Sequence, residues 1–223
     1  PPETMTADYA TVTAENEITV SFTVDETAAV NQYKLLRSRA INGDFDTIAT
    51  FSENKATITH TDKVESDKEI YYYKLAAIDI CHHVAKLSNA AHNIVLKAYP
   101  ESNENAQITI NELQWNAYTA CSSPPDNYQV YRLMQNNQRK LLHSAQPSAE
   151  TLTYRDDLSD MTSDEIKSIT NNGNFCYYIE AYKGDTVSRS NVACIPQAQQ
   201  VFIANAFNPK SHRSEEHTSE LQS

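Results

Sequence analysis

Glycine is nearly absent, with 3 in 223 residues. Loops that cradle phosphate need several glycines close together, because backbone amides must approach the anion. Gly43, Gly173 and Gly184 each stand alone, which argues against a nucleotide-binding enzyme. Positive charge is also scarce. The formal net charge is −11, and such a surface offers little to the phosphates of nucleic acid, so no nucleic-acid partner is expected. That acidity suits an extracellular protein, and it serves plain solubility equally well. No apolar run approaches the roughly 20 residues that span a bilayer as a helix, so no transmembrane segment is expected. There is no signal peptide, and the chain opens Pro1-Pro2 without an initiator Met. The expectation is a processed chain or one whose front is missing. None of the 4 cysteines has C-x-x-C spacing, which removes zinc-ribbon and thioredoxin-like motifs. Neither G-x-S-x-G nor H-E-x-x-H occurs. No catalytic, cofactor-binding or metal residue is therefore assigned.

What is present favours strands. The 13 tyrosines and the many Val, Ile and Thr residues belong to the strand-forming set. Ile18, Val20, Phe22 and Val24 alternate with Thr19, Ser21 and Thr23, the period-2 pattern of a strand with one buried face. Glu69 to Ile80 and Phe175 to Tyr182 alternate in the same way around large tyrosines. Turn residues punctuate these runs at Asn42-Gly43-Asp44, Ser123-Pro124-Pro125-Asp126-Asn127, Asn172-Gly173 and Lys183-Gly184-Asp185. One or two helical turns are allowed at Thr162 to Ile169.

The pattern occurs twice. Asn16-Glu17 recurs as Asn111-Glu112, Tyr33 as Tyr128 and Arg37 as Arg132, with Ile18 and Val20 falling on Leu113 and Trp115. Tyr71-x-Tyr73-x-Leu75-x-Ala77 returns as Phe175-x-Tyr177-x-Ile179-x-Ala181, and Ser88-Asn89 as Ser190-Asn191. Short strands at this spacing indicate a β-sandwich. In the second copy Leu113-Gln114-Trp115, Tyr128-Gln129-Val130-Tyr131-Arg132, Tyr154-Arg155-Asp156 and the Tyr177-Tyr178-Ile179-Glu180-Ala181 strand resemble a fibronectin type III domain. The first copy departs from that pattern: Val20 stands where the family usually has Trp, and Thr59-His60-Thr61-Asp62 is a looser Tyr-x-Asp stretch. The fold class expected is all-β, two tandem Ig-like or fibronectin type III-like sandwiches over residues 1–98 and 99–197. Tyr99 to Asn105 is the expected linker, and modules of this kind string out like beads, since each closes its own core. Trp115, Tyr73 and Tyr177 are the core anchors.

Several residues invite a sharper chemistry and are weighed against a plainer one. Asp79-Ile80-Cys81-His82-His83 has zinc-ligand chemistry, but adjacent histidines point apart in extended chain, and an exposed hairpin tip fits better. Asp156, Asp157, Asp160, Asp164 and Glu165 resemble a calcium cluster without the D-x-[DN]-x-[DN]-G loop, so a solvated insertion is preferred. Asp46-Thr47-Ile48 and Asp185-Thr186-Val187 resemble a short bacterial O-glycan acceptor motif.

Residues 198–212 carry the functional signal. Val201-Phe202-Ile203-Ala204-Asn205-Ala206-Phe207-Asn208-Pro209 resembles the opening of the gliding-motility-associated C-terminal domain, typically VFIPNAFTP, with Ala204 for Pro and Asn208 for Thr. That resemblance implies a sorting signal for type IX secretion, a secretion-machinery partner, and an extracellular or outer-membrane surface location in a bacterium. Arg213 to Ser223 resembles a translated sequencing adapter. Removing its one Arg and three Glu moves the charge from −11 to −9. The expected role is a non-catalytic structural spacer. An adhesin-type module for a surface glycan or protein ligand is the first alternative, and an accessory region of a secreted hydrolase the second.

Cys176 and Cys194 flank the hairpin turn near Asp185. Taking Lys183 opposite Val187 places the two cysteines opposite each other on one face, so a disulfide is predicted, and with it an oxidising compartment. Cys81 and Cys121 are harder to pair: they lie about a domain length apart, so a bond between them requires the two domains to fold back on each other, and a bond from Cys81 to a preceding domain is the alternative. Peptide mapping without reductant should recover Cys176 linked to Cys194. Replacing both by Ser should cost about 3 kcal/mol for a loop of this length, and two free thiols in the map would remove the assignment.

Overall fold

The computed structural model describes residues 1–52, 55–102, 108–119, 122–135, 138–159, 161–162, 164, 169 and 174–196. Residues 197–223, which hold the sorting-domain and adapter resemblances, lie outside it, as do Cys121, Asp160 and Glu165. Among the described residues the chain forms two successive sets of strands. The first comprises β1 (Met5–Ala14), β2 (Glu17–Val24), β3 (Gln32–Ser38), β4 (Asp46–Phe51), β5 (Thr57–Lys63), β6 (Tyr72–Ile78), β7 (Val84–Leu87) and β8 (Ala91–His92). The second comprises β9 (Leu96–Ser102), β10 (Ile108–Trp115), β11 (Asn127–Leu133), β12 (Arg139–Ala145), β13 (Leu152–Asp157), β14 (Asn174–Lys183), β15 (Thr186–Arg189) and β16 (Ala193–Pro196).

Each set makes a three-stranded sheet facing a larger one. The orders are β1-β2-β5 against β4-β3-β6-β7, with β8 also on β6. The second copy repeats them as β9-β10-β13 against β12-β11-β14-β15, with β16 also on β14. All pairings are antiparallel. Two tandem Ig-like, fibronectin type III-like sandwiches result. Their cores are separate: Ile18, Val20, Phe22, Tyr33, Leu35, Tyr73 and Leu75 close one, and Leu113, Trp115, Tyr128, Val130, Tyr177 and Ile179 the other.

Register corrects three details of the sequence reading. Phe22 faces Ile58 as Trp115 faces Leu152, and Ile18 faces Asp62 as Asn111 faces Asp156. Phe22, not Val20, is therefore the counterpart of Trp115. Tyr99 to Ser102, read as linker, is the second half of β9, paired to β10 from Leu96 onward. Pro100 sits there on an edge strand, where a missing amide costs no ladder bond. The hairpin after β14 turns over two residues, Gly184 and Asp185, with Lys183 facing Thr186. Gly184 takes φ +53°, a conformation that favours glycine. Ser190 to Val192 interrupt the strand and shift the register by one, so Cys176 still meets Cys194. The pair is bonded, with Cα atoms 4.0 Å apart.

Both copies share a buried polar device. Arg37 donates to both oxygens of Asp62 at 2.9 and 3.1 Å, and the Tyr73 hydroxyl donates to the same carboxylate at 3.0 Å. In the second copy Arg132 donates to both oxygens of Asp156, and Tyr177 donates at 2.7 Å while accepting from the Asn111 amide at 2.6 Å. Burial, followed by the neighbouring carboxylate, holds both tyrosines far above their ordinary pKa, so each stays a donor. Asp156 is thus a core residue and not a calcium ligand. The pairs differ in solvation: side-chain exposure is 31% for Arg37 and 3% for Arg132. A buried charge left alone is expensive, whereas one that reaches water is not. Asp156→Asn should cost about 3–5 kcal/mol, and Asp62→Asn about 1 kcal/mol. Urea unfolding checks this, with Trp115 fluorescence reporting the second sandwich alone. Equal losses would refute the grading by burial.

Candidate interdomain site

The residues singled out for metal chemistry are not brought together. Asp79 Oδ1 accepts from the backbone amides of Cys81 and His83, both at 2.9 Å, and His82 has φ 65°. Asp79 therefore builds the turn between β6 and β7. Cys81 is an exposed free thiol. Asp157 Oδ1 accepts from the amide of Ser159 at 2.9 Å and its hydroxyl at 2.6 Å, and Asp164 is exposed. Among the described residues no group of three or more His, Cys, Asp or Glu is placed to hold a metal ion. Asp46 begins β4 and Thr186 begins β15, so both acceptor-like motifs lie on strand starts. Trp115, Tyr73 and Tyr177 are 1%, 0% and 0% exposed.

The chemistry gathers instead where the two sandwiches meet. β1 is an edge strand, paired only to β2, so some of its backbone groups point outward and need other partners. Asn89 satisfies Ala7: its Oδ1 accepts from the Ala7 amide at 2.8 Å and its Nδ2 donates to the Ala7 carbonyl at 3.2 Å. Three residues on, the second sandwich takes over. The Tyr118 hydroxyl accepts from the Ala10 amide at 3.2 Å, meets the Ala10 carbonyl at 3.4 Å, and bonds Ser188 Oγ at 2.6 Å. Next to it the Arg189 amide donates to Thr11 Oγ1 at 2.8 Å. Tyr118 is held from behind, because its own amide donates to the Tyr128 hydroxyl at 2.8 Å. The modules close their own cores as expected, yet they do not simply string out.

On the other flank of Tyr118 lies His92. The imidazole is 8% exposed, with ring centroids 5.3 Å from Tyr72 and 5.4 Å from Tyr118. Its Nδ1 is 3.2 Å from the Asn93 carbonyl and its Nε2 3.4 Å from Thr119 Oγ1. These distances suit a neutral ring that donates from Nδ1 and accepts at Nε2. Burial lowers its pKa, partly opposed by the Asn93 carbonyl. A groove of about 440 Å³ runs beside this contact, lined by Arg39, Lys68 and Tyr72 of the first sandwich and Lys97, Tyr99 and Gln114 of the second.

Reasoning from the repeat missed this junction. Counting from the Phe22–Trp115 equivalence, Tyr118 falls on Asp25, so a large aromatic in a loop has only a small acid as counterpart. That mismatch is the one trace in the sequence. The outer face of the second sandwich is closed differently, by a row crossing its larger sheet. Arg139 lies over Tyr131 at 4.6 Å, Tyr131 stacks on Tyr178 at 5.2 Å, and Arg189 lies over Tyr178 at 3.7 Å.

No family model matches the chain, and no curated protein matches it. Among solved structures it is similar to the FN1–FN3 domains of chicken CNTN1, at 10% identity and a TM-score of 0.31, covering 88% of this chain and 64% of that one. It is also similar to a two-domain fibronectin type III segment of chicken tenascin, at 12% identity and a TM-score of 0.31, covering 88% and 99%. The ligand-binding domain of human OSCAR is similar at 9% identity and a TM-score of 0.36, covering 87% and 97%.

Proposed function

We propose that this chain is a non-catalytic structural spacer of a secreted or cell-surface bacterial protein. The observation that carries the reading is the Tyr118 contact: one hydroxyl joins the edge backbone of the first sandwich to Ser188 of the second. A spacer holds distance only if its joints resist bending, and domains without a bonded interface move by default. The Cys176–Cys194 bond supports an oxidising compartment outside the cell. No helix among the described residues is long and apolar enough to cross a membrane. Export by type IX secretion, through contact of a C-terminal sorting domain with the secretion machinery, is supported by the resemblance at Val201 to Pro209. At pH 7.5, small-angle scattering of the chain should fit one interdomain arrangement, and Tyr118→Ala should require an ensemble. A wild-type chain that itself needs an ensemble would sink the spacer reading. Deleting the native gene from Val201 onward should retain the protein inside a type IX-competent cell, and unchanged export would remove that part.

A second reading, a module that binds an acidic glycan, is favoured by the groove. In a chain of net charge −11, Arg39 of the first domain and Lys97 of the second line it beside Tyr72 and Tyr99, while Lys68 is paired with Glu65 and Glu69 also lines it. Clefts at domain interfaces are preferred ligand sites, and a local positive field in an acidic protein selects anions. Uronate oligosaccharides should bind saturably and more weakly as salt rises. Lys97→Glu should weaken binding about five- to tenfold, while Lys140→Glu on β12 leaves it unchanged. Equal effects of the two substitutions would mean diffuse charge attraction and no site.

A further inference from the structure

We propose that the junction between the two sandwiches is a pH-sensitive hinge, closed while the His92 imidazole is neutral and released when it gains a proton. The ring sits on β8, the last strand of the first sandwich, and is covered by Tyr118 and Thr119 from the loop after β10 in the second. With that loop in place the residue is 8% exposed, so solvation of the ring is coupled to movement of the loop. The same loop carries the hydroxyl that bonds Ala10 and Ser188, so exposure of the ring and loss of the interdomain bonds are one event.

Among the described residues no charged group bears on the ring. Tyr72 of β6 and Tyr118 are its aromatic neighbours, and Thr119 and the Asn93 carbonyl its polar ones. Asp8 of β1 accepts from Ser21 and Thr23. Arg189 of β15 lies over Tyr178, and Lys68 pairs with Glu65 at 2.5 Å. Burial is the largest influence on the ring, and no carboxylate or cation is among the others. A proton added to a closed junction is therefore a buried charge with no partner of opposite sign among the described residues.

The sign of the pH effect follows. In the open state the imidazole titrates near its ordinary 6.5, and in the closed state below it. Above 6.5 neither state is protonated and the closed junction keeps its full stability. As pH falls below 6.5 the open state takes up the proton first, and stability is lost until the closed-state pKa is passed. One proton can change the open-to-closed ratio by at most about tenfold per pH unit.

Amide exchange reads the hinge directly, because the Ala10 and Arg189 amides are bonded across the junction. On the full chain, protection factors of those two amides should fall severalfold between pH 7.5 and pH 5, while amides in the centres of β3 and β14 stay protected. His92→Phe keeps a ring and cannot titrate, so its protection factors should not change with pH. His92→Gln provides the same test if Phe packs badly. The proposal is overturned if Ala10 holds its protection down to pH 5, or if the variants show the wild-type pH dependence. Loss of protection in β3 and β14 at the same pH would also overturn it, since that is unfolding of the whole and not opening of a joint.

Discussion

A strand at the edge of a sheet has partners on one side only, and the backbone groups on its other side must be bonded by something else. Both sandwiches meet this constraint with the same pair of side chains. In the first, Ser88 Oγ accepts from the Leu75 amide on β6, and Asn89 clamps both backbone groups of Ala7 on β1. In the second, Ser190 Oγ accepts from the Ile179 amide on β14, and Asn191 clamps both backbone groups of Leu96 on β9. Each Ser-Asn pair breaks the last strand of its larger sheet into β7 and β8, or β15 and β16, and ties the break to the first strand of the smaller sheet. The two sheets of each sandwich are thereby latched at one edge. The clamp spares the chain an unsatisfied amide and carbonyl, which would each cost about 1–3 kcal/mol.

One clamp does not cover ten residues of β1. Further along, the exposed edge at Ala10 and Thr11 is taken by Tyr118 and Arg189 of the following domain. The interdomain contact is thus a second solution to the edge problem, made in trans. It also protects the strand from pairing with foreign chains, a hazard of any long open edge.

The two copies then diverge at one equivalent position. Cys176 faces Cys194 across β14 and β16, and Tyr72 faces His92 across β6 and β8. Next in line, Tyr177 faces Ala193 and Tyr73 faces Ala91, which fixes the equivalence. Where the second sandwich carries a covalent staple on its outer face, the first carries two rings that Tyr118 completes. A disulfide there would have left Tyr118 nothing aromatic to cover.

Much of this was legible from residues whose signal is local. Alternation in β2, β6 and β14 follows from one buried face, and the recurrence of Arg37 and Tyr73 as Arg132 and Tyr177 follows from a shared ion pair. The Ser-Asn repeat was visible, but its clamping role was not, since it depends on a strand more than 80 residues away. β9 was hidden because Pro and acids are tolerated on an edge, so its composition mimics a linker. Register was the other failure: a shift of two residues preserves alternation, so Val20 and Phe22 present the same pattern to a reader without pairing partners. The junction was least legible of all. It requires Tyr118, His92 and Ala10 at once, none adjacent in sequence, and only the three-dimensional structure brings Tyr118 to bond Ala10 and to pack on His92. A contact of that kind is specified by geometry between domains, and a repeat conceals it, because repetition directs attention to what the copies share and the joint depends on what they do not.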